Sequence, residues 1–400
     1  MVSIKGKNIL ITQSAMRAIA GSEIVALELA EELQNMGANV KIFTWEYGAP
    51  IRKFVEKKNI KVTCNEYDPF FKKCDYIWVH HQVLPELVLK ELHSSKKYNP
   101  RIMFMHMSGI PGNYIEQPYI RDLELHLSDR NLYVSEEAKT LLEMMFYDGE
   151  EKIPSSIFPN PFPEAFAEQK YNRSELKNVL VVSNHLPKEV ERLRNMRSEI
   201  NIVFAGSGGD KYELVTPKAL LKYDAVITIG KTVQYCLACG VPVYVYDESG
   251  GCGYLNKKNF KKNKAVNFSG RGNKKKTSEQ IFSELINGYD AARKYQSEIR
   301  DEMIKTFRIS KYIDELFVEE SKEKALSESM YNTAMASMAM SKWKLKGDFY
   351  VKELVDVVKK RDDEIEDYKA KNNNLEKLIN NYNNNLLAKI YKKIRREKDV

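Results

Sequence analysis

The sequence predicts an α/β protein with two doubly wound, Rossmann-like lobes and a C-terminal helical and coiled-coil extension. Three observations indicate this fold class. Short apolar segments alternate with helical segments through the first hundred residues, and again between residues 179 and 246. A proline-rich segment, 158–175, separates the two series. Beyond Ser278 the pattern becomes helical and ends in a heptad repeat. Strand–helix–strand alternation is typical of parallel sheets covered by helices.

Length and composition agree with this prediction. The 400 residues correspond to roughly two to three domains, and 43% of them are hydrophobic. Five cysteines at scattered positions do not make a disulfide framework, which favours a cytoplasmic protein. The first apolar stretch, Ile9–Ile11, is too short for a signal-peptide core. The longest charge-free run, 232–246, is shorter than a membrane-spanning helix.

The first lobe is expected to span residues 1–165. Residues 22–36 show helical spacing of apolar side chains, with Ser22 as a candidate N-cap and Gly37 at the C-terminal end. The remaining elements follow from the same patterns: strands at 8–12, 40–45, 60–64, 76–79 and 102–105, and helices at 50–58 and 85–94.

The second lobe is expected to span residues 166–310. Its predicted elements are strands at 179–182, 202–205, 225–229 and 243–246, with helices at 187–195 and 232–239. Two such lobes in tandem leave a cleft, and ligands of doubly wound sheets bind outside the carboxyl ends of the strands. A helical connector, 311–348, and a coiled coil with a basic tail, 349–400, complete the predicted organisation.

Residues 351–386 carry a heptad repeat. Nine of the twelve a and d positions from Val351 to Lys389 are apolar, and one a position is Asn372. An asparagine at an a position commonly fixes the register of a coiled coil. The pattern predicts a coiled coil that forms a homo-oligomer or docks a partner of the same pathway. The alternative is a long amphipathic helix packed on its own domain.

Gly230, Lys231 and Thr232 form the turn between a predicted strand and the next helix. Free N–H groups and the positive end of the helix dipole favour phosphate at such a place. The segment is no Walker A loop, because the position five residues before Gly230 is Ala225. We expect an anion site at this helix terminus; a solvent-exposed lysine beside a helix cap is the alternative.

The helix then ends in a segment that resembles a known family. Its sequence, Ala238-Cys239-Gly240-Val241-Pro242-Val243, leads into a strand and the pair Gly250-Gly251. This resembles the donor-binding core of GT-B glycosyltransferases, especially those of the retaining family-four type. Weaker similarities to that group lie at 20–23, 131–136 and 159–161, and the resemblance covers roughly residues 7–310.

The resemblance implies a nucleotide-diphosphate sugar held mainly by the second lobe, with no metal ion or other cofactor. On that model Lys188 is a candidate second cation for the diphosphate, although a solvated lysine is the alternative. The donor site would be lined by Gly206, Ser207, Gly208, Lys231, Thr232, Gln234, Gly250 and Gly251, with Gly21 closing over the phosphates from the first lobe.

The chain departs from the family at one pair of positions. The two glutamates that the family spaces eight residues apart would fall at Ile227 and Tyr235. The second of them usually binds the donor ribose, so ribose recognition would need other groups, for which Gln234 and Glu248 are candidates. The anomeric outcome is therefore not carried over.

Histidines end two strands of the first lobe. His80 and His81 follow the strand 76–79, and His106 ends the strand 102–105. A histidine at the carboxyl end of a parallel strand lies where the cleft is expected and suits general-base work. We expect His106, and one of the adjacent pair His80 and His81, with His80 preferred, to be the catalytic candidates; a structural role is the alternative for each.

Basic charge is concentrated in two segments. Residues 257–276 hold nine Lys or Arg and no acid, and residues 386–400 hold six against two acids. These segments lack the interspersed aromatic residues that would indicate nucleic-acid binding. An anionic membrane surface or a polyanionic glycan fits the charge better, and a solvated loop is the alternative.

These observations lead to one functional hypothesis and two alternatives. The chain is expected to be a metal-independent glycosyltransferase, cytoplasmic or peripheral at the inner face of the membrane. Its acceptor would be a cell-surface polysaccharide, a lipid-linked glycan or a glycoprotein. The alternatives are a nucleotide-sugar epimerase on the same fold and a catalytically inactive scaffold that acts through its coiled coil.

Overall fold

The computed structural model describes residues 4–112, 114–196, 199–207, 209–317 and 321–398. Two compact units divide the chain, Met1–Ala339 and Met340–Val400. The first unit contains two sheets, which define a first and a second lobe. The prediction of a doubly wound α/β chain with a helical C-terminal extension is confirmed.

The first lobe is a seven-stranded parallel sheet in the order β3-β2-β1-β4-β5-β6-β7. In chain order its elements are β1 (Asn8–Met16), α1 (Gly21–Asn35), β2 (Asn39–Tyr47), α2 (Arg52–Lys57), β3 (Lys61–Thr63), β4 (Tyr76–His80), α3 (Glu86–Ser94), β5 (Arg101–His106), α4 (Arg121–Leu127), β6 (Arg130–Tyr133), α5 (Glu136–Phe146) and β7 (Ser155–Ile157). Short 3₁₀ turns lie at Pro69–Lys73 and Tyr114–Glu116.

Strand β1 lies between β2 and β4 and runs four residues beyond the predicted end. It pairs with β2 as far as Met16 and Tyr47. The helix that follows begins at Gly21 after an Ala20 N-cap that makes no side-chain bond. Ser22 is therefore not the N-cap that the sequence suggested, and its hydroxyl donates to Glu23 instead at 3.0 Å.

The second lobe is a five-stranded sheet in the order β12-β11-β10-β8-β9. Its elements are α6 (Glu164–Ala167), β8 (Asn178–Val182), α7 (Lys188–Glu191), β9 (Asn201–Ala205), α8 (Pro217–Leu220), β10 (Ala225–Thr228), α9 (Lys231–Cys239), β11 (Val243–Asp247), β12 (Gly250–Tyr254), α10 (Phe260–Ala265) and α11 (Ser278–Phe307), with a 3₁₀ turn at Arg192–Asn195. Four strands are parallel, and β12 is an antiparallel edge strand that the sequence analysis did not predict.

The first part of the segment predicted as an interlobe linker, 158–162, is buried. Phe158 and Phe162 are fully buried. The Phe162 N–H donates to the Phe307 carbonyl at 2.9 Å, and the Ile309 N–H donates to the Phe162 carbonyl at 3.0 Å. The chain therefore passes between the lobes twice at this place. It leaves the first lobe near Phe162 and returns to it near Ile309.

The return crossing leads into α12 (Ile309–Leu316). Its apolar side chains belong to the core of the first lobe, together with Trp78 and Phe158. The Phe317 ring stacks on Trp78 with centroids 6.3 Å apart. In the sequence, the second lobe therefore lies between two segments that pack in the core of the first lobe.

The C-terminal helices are α13 (Glu328–Asn384) and α14 (Leu386–Lys398). Asn385 separates them: its side-chain oxygen accepts from the Leu387 N–H at 3.1 Å, as an N-cap does. The heptad predicted over 351–386 therefore lies on one continuous helix only as far as Asn384. No helix in the described part of the chain is both long enough and apolar enough to cross a membrane.

Candidate functional site

The loop after β1 joins the two lobes at the carboxyl ends of their strands. The Ile19 N–H donates to the Tyr212 hydroxyl at 3.1 Å. The Asn184 side chain donates to the Ile19 carbonyl at 3.1 Å and accepts from the Ser207 N–H at 3.0 Å. Both backbone groups of one first-lobe residue are therefore bound by the second lobe, at the edge where doubly wound sheets bind ligands.

Polar groups line this edge of the second lobe. The Ser183 hydroxyl, after β8, donates to Asp247 Oδ1 at 3.1 Å, and Asp247 ends β11. Burial raises the pKa of Asp247. The Thr228 hydroxyl, at the end of β10, donates to the Val182 carbonyl at 2.9 Å. Asp247 was not expected from the sequence, because its partner Ser183 lies 64 positions away.

Gly206 and Ser207 lie at this edge as expected. Gly206 has a φ of +119°, and a Cβ there would stand 2.0 Å from the Ser183 carbonyl oxygen. The close approach of the chain segments after β8 and β9 therefore requires a glycine at this position. The third residue of the expected trio, Gly208, lies outside the described residues.

Lys231 does not present a free ammonium to the cleft. Its Nζ lies 2.6 Å from Glu28 Oε2, on α1, and donates to the Pro161 carbonyl at 2.7 Å. The side chain is only 7% exposed. Burial lowers the pKa of Lys231, and burial raises the pKa of Glu28. The expectation that this ammonium binds phosphate gives way to a different arrangement, in which it bridges the lobes.

Tyr235 completes the interlobe contact at one of the positions where the family would have a glutamate. Its hydroxyl donates to Glu28, and its ring stacks on Phe166 at 4.0 Å. A carboxylate is thus present beside residue 235, but it comes from α1 of the other lobe. This contact across 207 positions of sequence explains how a tyrosine fits here.

Two further expected donor residues lie in the first two turns of α9. Gln234 is fully buried and donates to the Pro159 carbonyl at 3.1 Å and to Asn267 Oδ1 at 3.2 Å. Its amide nitrogen therefore holds the interlobe segment. Thr232 is buried in the first turn of the helix.

Gly250 and Gly251 open β12 and serve the packing of the hairpin. A Cβ on Gly251 would stand 2.0 Å from the Val245 carbonyl oxygen, and one on Gly250 would stand 2.7 Å from the Lys274 carbonyl oxygen. The neighbouring backbone accounts for both glycines without a ligand. Glu248, in the turn before them, is exposed.

Gly21 and Lys188 lie at the surface of the site. A Cβ on Gly21 would meet no atom within 4 Å, so the N-terminus of α1 faces open space. Lys188 is exposed at the start of α7, which has only four residues. The structure leaves room for a ligand at both positions.

His80 is held on both ring nitrogens. Trp78 Nε1 donates to His80 Nε2 at 2.9 Å, so the proton of the neutral ring is on Nδ1, which lies 3.1 Å from Gln13 Oε1. Burial lowers the pKa of His80 well below its usual value. These contacts favour a structural role for a neutral ring.

His106 lies in a buried ion pair. Its Nε2 is 3.0 Å from Glu124 Oε1, and its ring stacks on Tyr133 at 5.1 Å. Burial alone lowers the pKa of His106, but the Glu124 carboxylate raises it more, and the pKa of Glu124 is lowered in turn. Further donors to this carboxylate are Gln82, Asn131 and Tyr147. The contacts again favour a structural role.

His81, the other histidine of the candidate pair, has the contacts that a general base needs. Its Nδ1 lies 2.7 Å from the Ser14 hydroxyl, and its Nε2 lies 3.1 Å from Glu116 Oε1. A hydroxyl, an imidazole and an orienting carboxylate in this order form the constellation of general-base catalysis. The backbone of His81 is left-handed, with a φ of +54°, which is uncommon for a residue other than glycine.

The charges around His81 are those a base needs. Burial lowers its pKa, but Glu116 and the buried Glu23 raise it more, so the net direction is upward. Ser14 was not expected at this site because β1 was expected to end at residue 12, and Glu23 and Glu116 lie on other segments of the chain. The available signal was the run of polar residues at 12–14 after an apolar strand. Among the described residues, no group of three or more His, Cys, Asp or Glu side chains could hold a metal ion.

Comparisons with known proteins find similarity only among solved structures. No family model matches the chain, and no curated protein matches it. A glycosyltransferase from Rickettsia africae is 12% identical, with 77% of this chain and 96% of that chain covered and a TM-score of 0.46. WaaG, a glycosyltransferase involved in lipopolysaccharide biosynthesis, is 10% identical, with 73% and 95% covered and a TM-score of 0.44.

A third similar structure is an α-glucosyltransferase in complex with UDP and DNA. It is 9% identical, with 78% of this chain and 98% of that chain covered and a TM-score of 0.44. All three structures are thus of glycosyltransferases, the group that the sequence resembles. At identities and scores this low, the similarity carries no argument about activity.

Proposed function

We propose that the chain is a glycosyltransferase that moves a sugar from a nucleotide-diphosphate donor to a hydroxyl of a glycan or lipid-linked acceptor. One observation carries the proposal: the carboxyl ends of two parallel-sheet lobes meet at Ile19, beside polar groups from both lobes. The sequence resemblance at 238–243 supports the same activity. A cleft between two such sheets suits a nucleotide on one side and an acceptor on the other.

The donor diphosphate would lie at the N-terminus of α9. Its N-cap, Gly230, has a φ of +58°, no side chain caps the helix, and a Cβ on Gly230 would meet no atom within 4 Å. Because the Lys231 ammonium is bound by Glu28, the backbone N–H groups and the helix dipole would carry the leaving-group charge. Ser207 and Glu248 remain candidates for the rest of the donor, at the same edge of the sheet.

The acceptor would be deprotonated by His81. Glu116 holds the Nε2–H, which leaves Nδ1 as the proton acceptor, and the acceptor hydroxyl would take the place of the Ser14 hydroxyl there. The carboxylates that raise the pKa of His81 also stabilise the imidazolium formed by proton transfer. Since the base must be neutral, the rate should rise with pH through a pKa above the usual value of 6.5.

Two measurements test this function together. Thermal unfolding against a panel of nucleotides and nucleotide sugars should show a higher midpoint with one diphosphate nucleotide. The variant His81→Asn should keep that shift and lose transfer to an acceptor mixture by about 10²–10⁴-fold. No shift with any nucleotide would contradict the donor site, and isomerised donor formed without acceptor would indicate an epimerase.

We also propose that the chain works at an anionic membrane surface through α14. The helix places Leu387, Ile390, Tyr391 and Ile394 on one side, all exposed. Five basic residues occupy the rest of its surface: Lys389, Lys392, Lys393, Arg395 and Arg396. An apolar face opposite basic residues is the pattern of an interfacial helix on anionic lipid.

Sedimentation with vesicles tests the membrane proposal. The full chain should sediment with vesicles that contain phosphatidylglycerol and remain in solution with pure phosphatidylcholine. The double variant Ile390→Ser/Ile394→Ser keeps every charge and should lose this binding, because apolar burial drives insertion. Equal sedimentation of variant and wild type would contradict a role for the apolar face.

A further inference from the structure

The second unit carries an apolar stripe that faces solvent. Within α13, eight of the ten a and d positions between 351 and 382 are apolar, and their exposed fractions run from 47% at Leu354 to 66% at Tyr382. They are Val351, Leu354, Val358, Ile365, Tyr368, Leu375, Ile379 and Tyr382. An isolated helix that exposes such a stripe is marginally stable, because most helical stability comes from packing of the apolar face.

We propose that this stripe is the seam of a parallel, in-register, two-stranded coiled coil between two copies of the chain. The residue types favour two strands. Four of the five a positions are β-branched and two of the five d positions are leucine, which is the combination found in parallel dimers. The fifth a position, Asn372, meets its own counterpart only when the helices are parallel and in register.

Charges beside the seam select the same register. In a parallel coil each g residue faces the e residue five positions later in the second copy. Glu364 then faces Lys369, and Lys371 faces Glu376, so both kinds of pair are attractive. These charges argue for a second copy of this chain as the occupant of the stripe.

A shift of one heptad loses this complementarity. On one side of the shifted dimer Glu364 would face Glu376 of the second copy. On the other side Glu364 would face Asp362, and Lys371 would face Lys369. Both sides bring like charges together, which is the means by which coiled coils exclude wrong registers.

One d position, Arg361, destabilises the seam. Arg361 places a guanidinium where its neighbours place leucine or tyrosine, and in a parallel dimer it faces its own copy. The cost is a weaker dimer, so Arg361→Leu should lower the dissociation constant by about tenfold or more.

The mass of the full chain in solution is the first test. Sedimentation equilibrium should give twice the chain mass of 46.3 kDa. A monomer at tens of micromolar would overturn the proposal, and so would a trimer. The proposal does not depend on the glycosyltransferase function, since the mass is measured without donor or acceptor.

Charge reversal tests the pairing. Lys369→Glu should weaken the dimer by about tenfold, because two attractive pairs become repulsive. Glu364→Lys in addition should restore it. Lys377→Glu is the matched control: it makes the same charge change at an f position, away from the seam, and should leave the dimer unchanged. Equal effects of Lys369→Glu and Lys377→Glu would overturn the register.

A cysteine near one end of the seam tests orientation. In a parallel in-register coil Leu354→Cys brings two thiols together, and oxidation should join the copies by a disulfide. In an antiparallel coil over the same 32 residues, the thiols would be about 37 Å apart. The native sequence is the control for crosslinking through the five native cysteines. A dimer whose Leu354→Cys form does not crosslink beyond that control would overturn the parallel arrangement.

Discussion

The ion pair of Lys231 and Glu28 shows how a single residue connects the lobes. Both pKa values shift toward the neutral forms, because burial outweighs the attraction between the two charges. Such a pair contributes little net stability, yet removing one partner leaves the other charge buried and unpaired. The side chain that the sequence marked as a phosphate ligand is therefore, in this structure, part of the interlobe contact.

Loss of Lys231 should reveal this role. We expect Lys231→Met to lower the free energy of unfolding by about 3–5 kcal/mol, because Glu28 would be left without its cation. The double variant Glu28→Gln/Lys231→Met removes both charges and should recover most of that loss. Urea unfolding of the three proteins measures both effects. A single variant as stable as the wild type would contradict the ion pair.

The pair His106–Glu124 makes stability depend on pH. A histidine whose folded pKa is raised adds stability that is complete below its unfolded value of 6.5 and is lost as the pH rises through the folded pKa. A glutamate whose pKa is lowered adds stability above 4.5 that is lost on acidification. The pair therefore stabilises the fold most between these two values.

The variant His106→Gln should flatten this dependence. From about pH 6 to about pH 9 the wild type should lose stability relative to the variant, by about 1.4 kcal/mol for each unit by which folding raises the pKa of His106. The comparison uses the slope of the free energy of unfolding against pH. The loss of packing in the variant is the same at each pH and does not change that slope. Parallel curves from urea unfolding at several pH values would count against a raised pKa.

The limits of sequence reasoning at the residue scale are set by distance along the chain. The histidine at the end of β5 and the Gly206–Ser207 turn were found from local patterns, and both lie at carboxyl ends of strands. The partner of Lys231 was not found, because Glu28 precedes it by about two hundred positions. His81 and His80 are neighbours of the same type, and only the contacts with Ser14 and Glu116 distinguish them.

At the scale of elements, the space around a glycine distinguishes a glycine that packing requires from one that leaves room for a ligand. Gly251 lies in the β11–β12 hairpin, where a Cβ would stand 2.0 Å from a backbone oxygen, while Gly21 opens α1 with no atom within 4 Å of that point. Both were expected to line the donor site. Only the second has the open space that a ligand needs.

Alanine at the two positions should therefore have opposite effects. Gly251→Ala should destabilise the protein by about 3 kcal/mol, since backbone cannot move aside without opening the hairpin. Gly21→Ala should leave stability equal or raise it by about 0.5–1 kcal/mol, because alanine favours the helix. Thermal unfolding measures both. If Gly21→Ala also abolishes the shift caused by a nucleotide, the ligand lies against α1; an unchanged shift would place it elsewhere.

Elements with a strong period were predictable, and those defined by pairing were not. The buried strands and the helices α1 and α9 follow from apolar spacing and terminal glycines. The edge strand β12 was missed because its Gly-rich sequence has little strand propensity, and pairing with β11 holds it. The end of α13 follows from asparagines that disfavour helix, one of which caps α14.

At the scale of the whole molecule, α12 makes the first lobe depend on the end of the second. Ile309, Ile313 and Leu316 are buried in the core that surrounds β1, although the chain reaches them only after α11. All seven strands of the first lobe precede this helix in the sequence. The core of that lobe is therefore complete only when the chain has returned from the second sheet.

Truncation of one side chain in α12 should destabilise the first lobe. Ile313→Ala removes buried apolar atoms from its core, so we expect a loss of about 2–5 kcal/mol. Ile286→Ala is the matched control, because Ile286 is 46% exposed on α11 and its truncation should cost no more than about 0.5 kcal/mol. Urea unfolding followed by tryptophan fluorescence is suited to the comparison, since Phe317, which follows α12, stacks on Trp78. Equal small losses in both variants would contradict the packing of α12 in the first lobe, whereas a large loss confined to Ile313→Ala would support it.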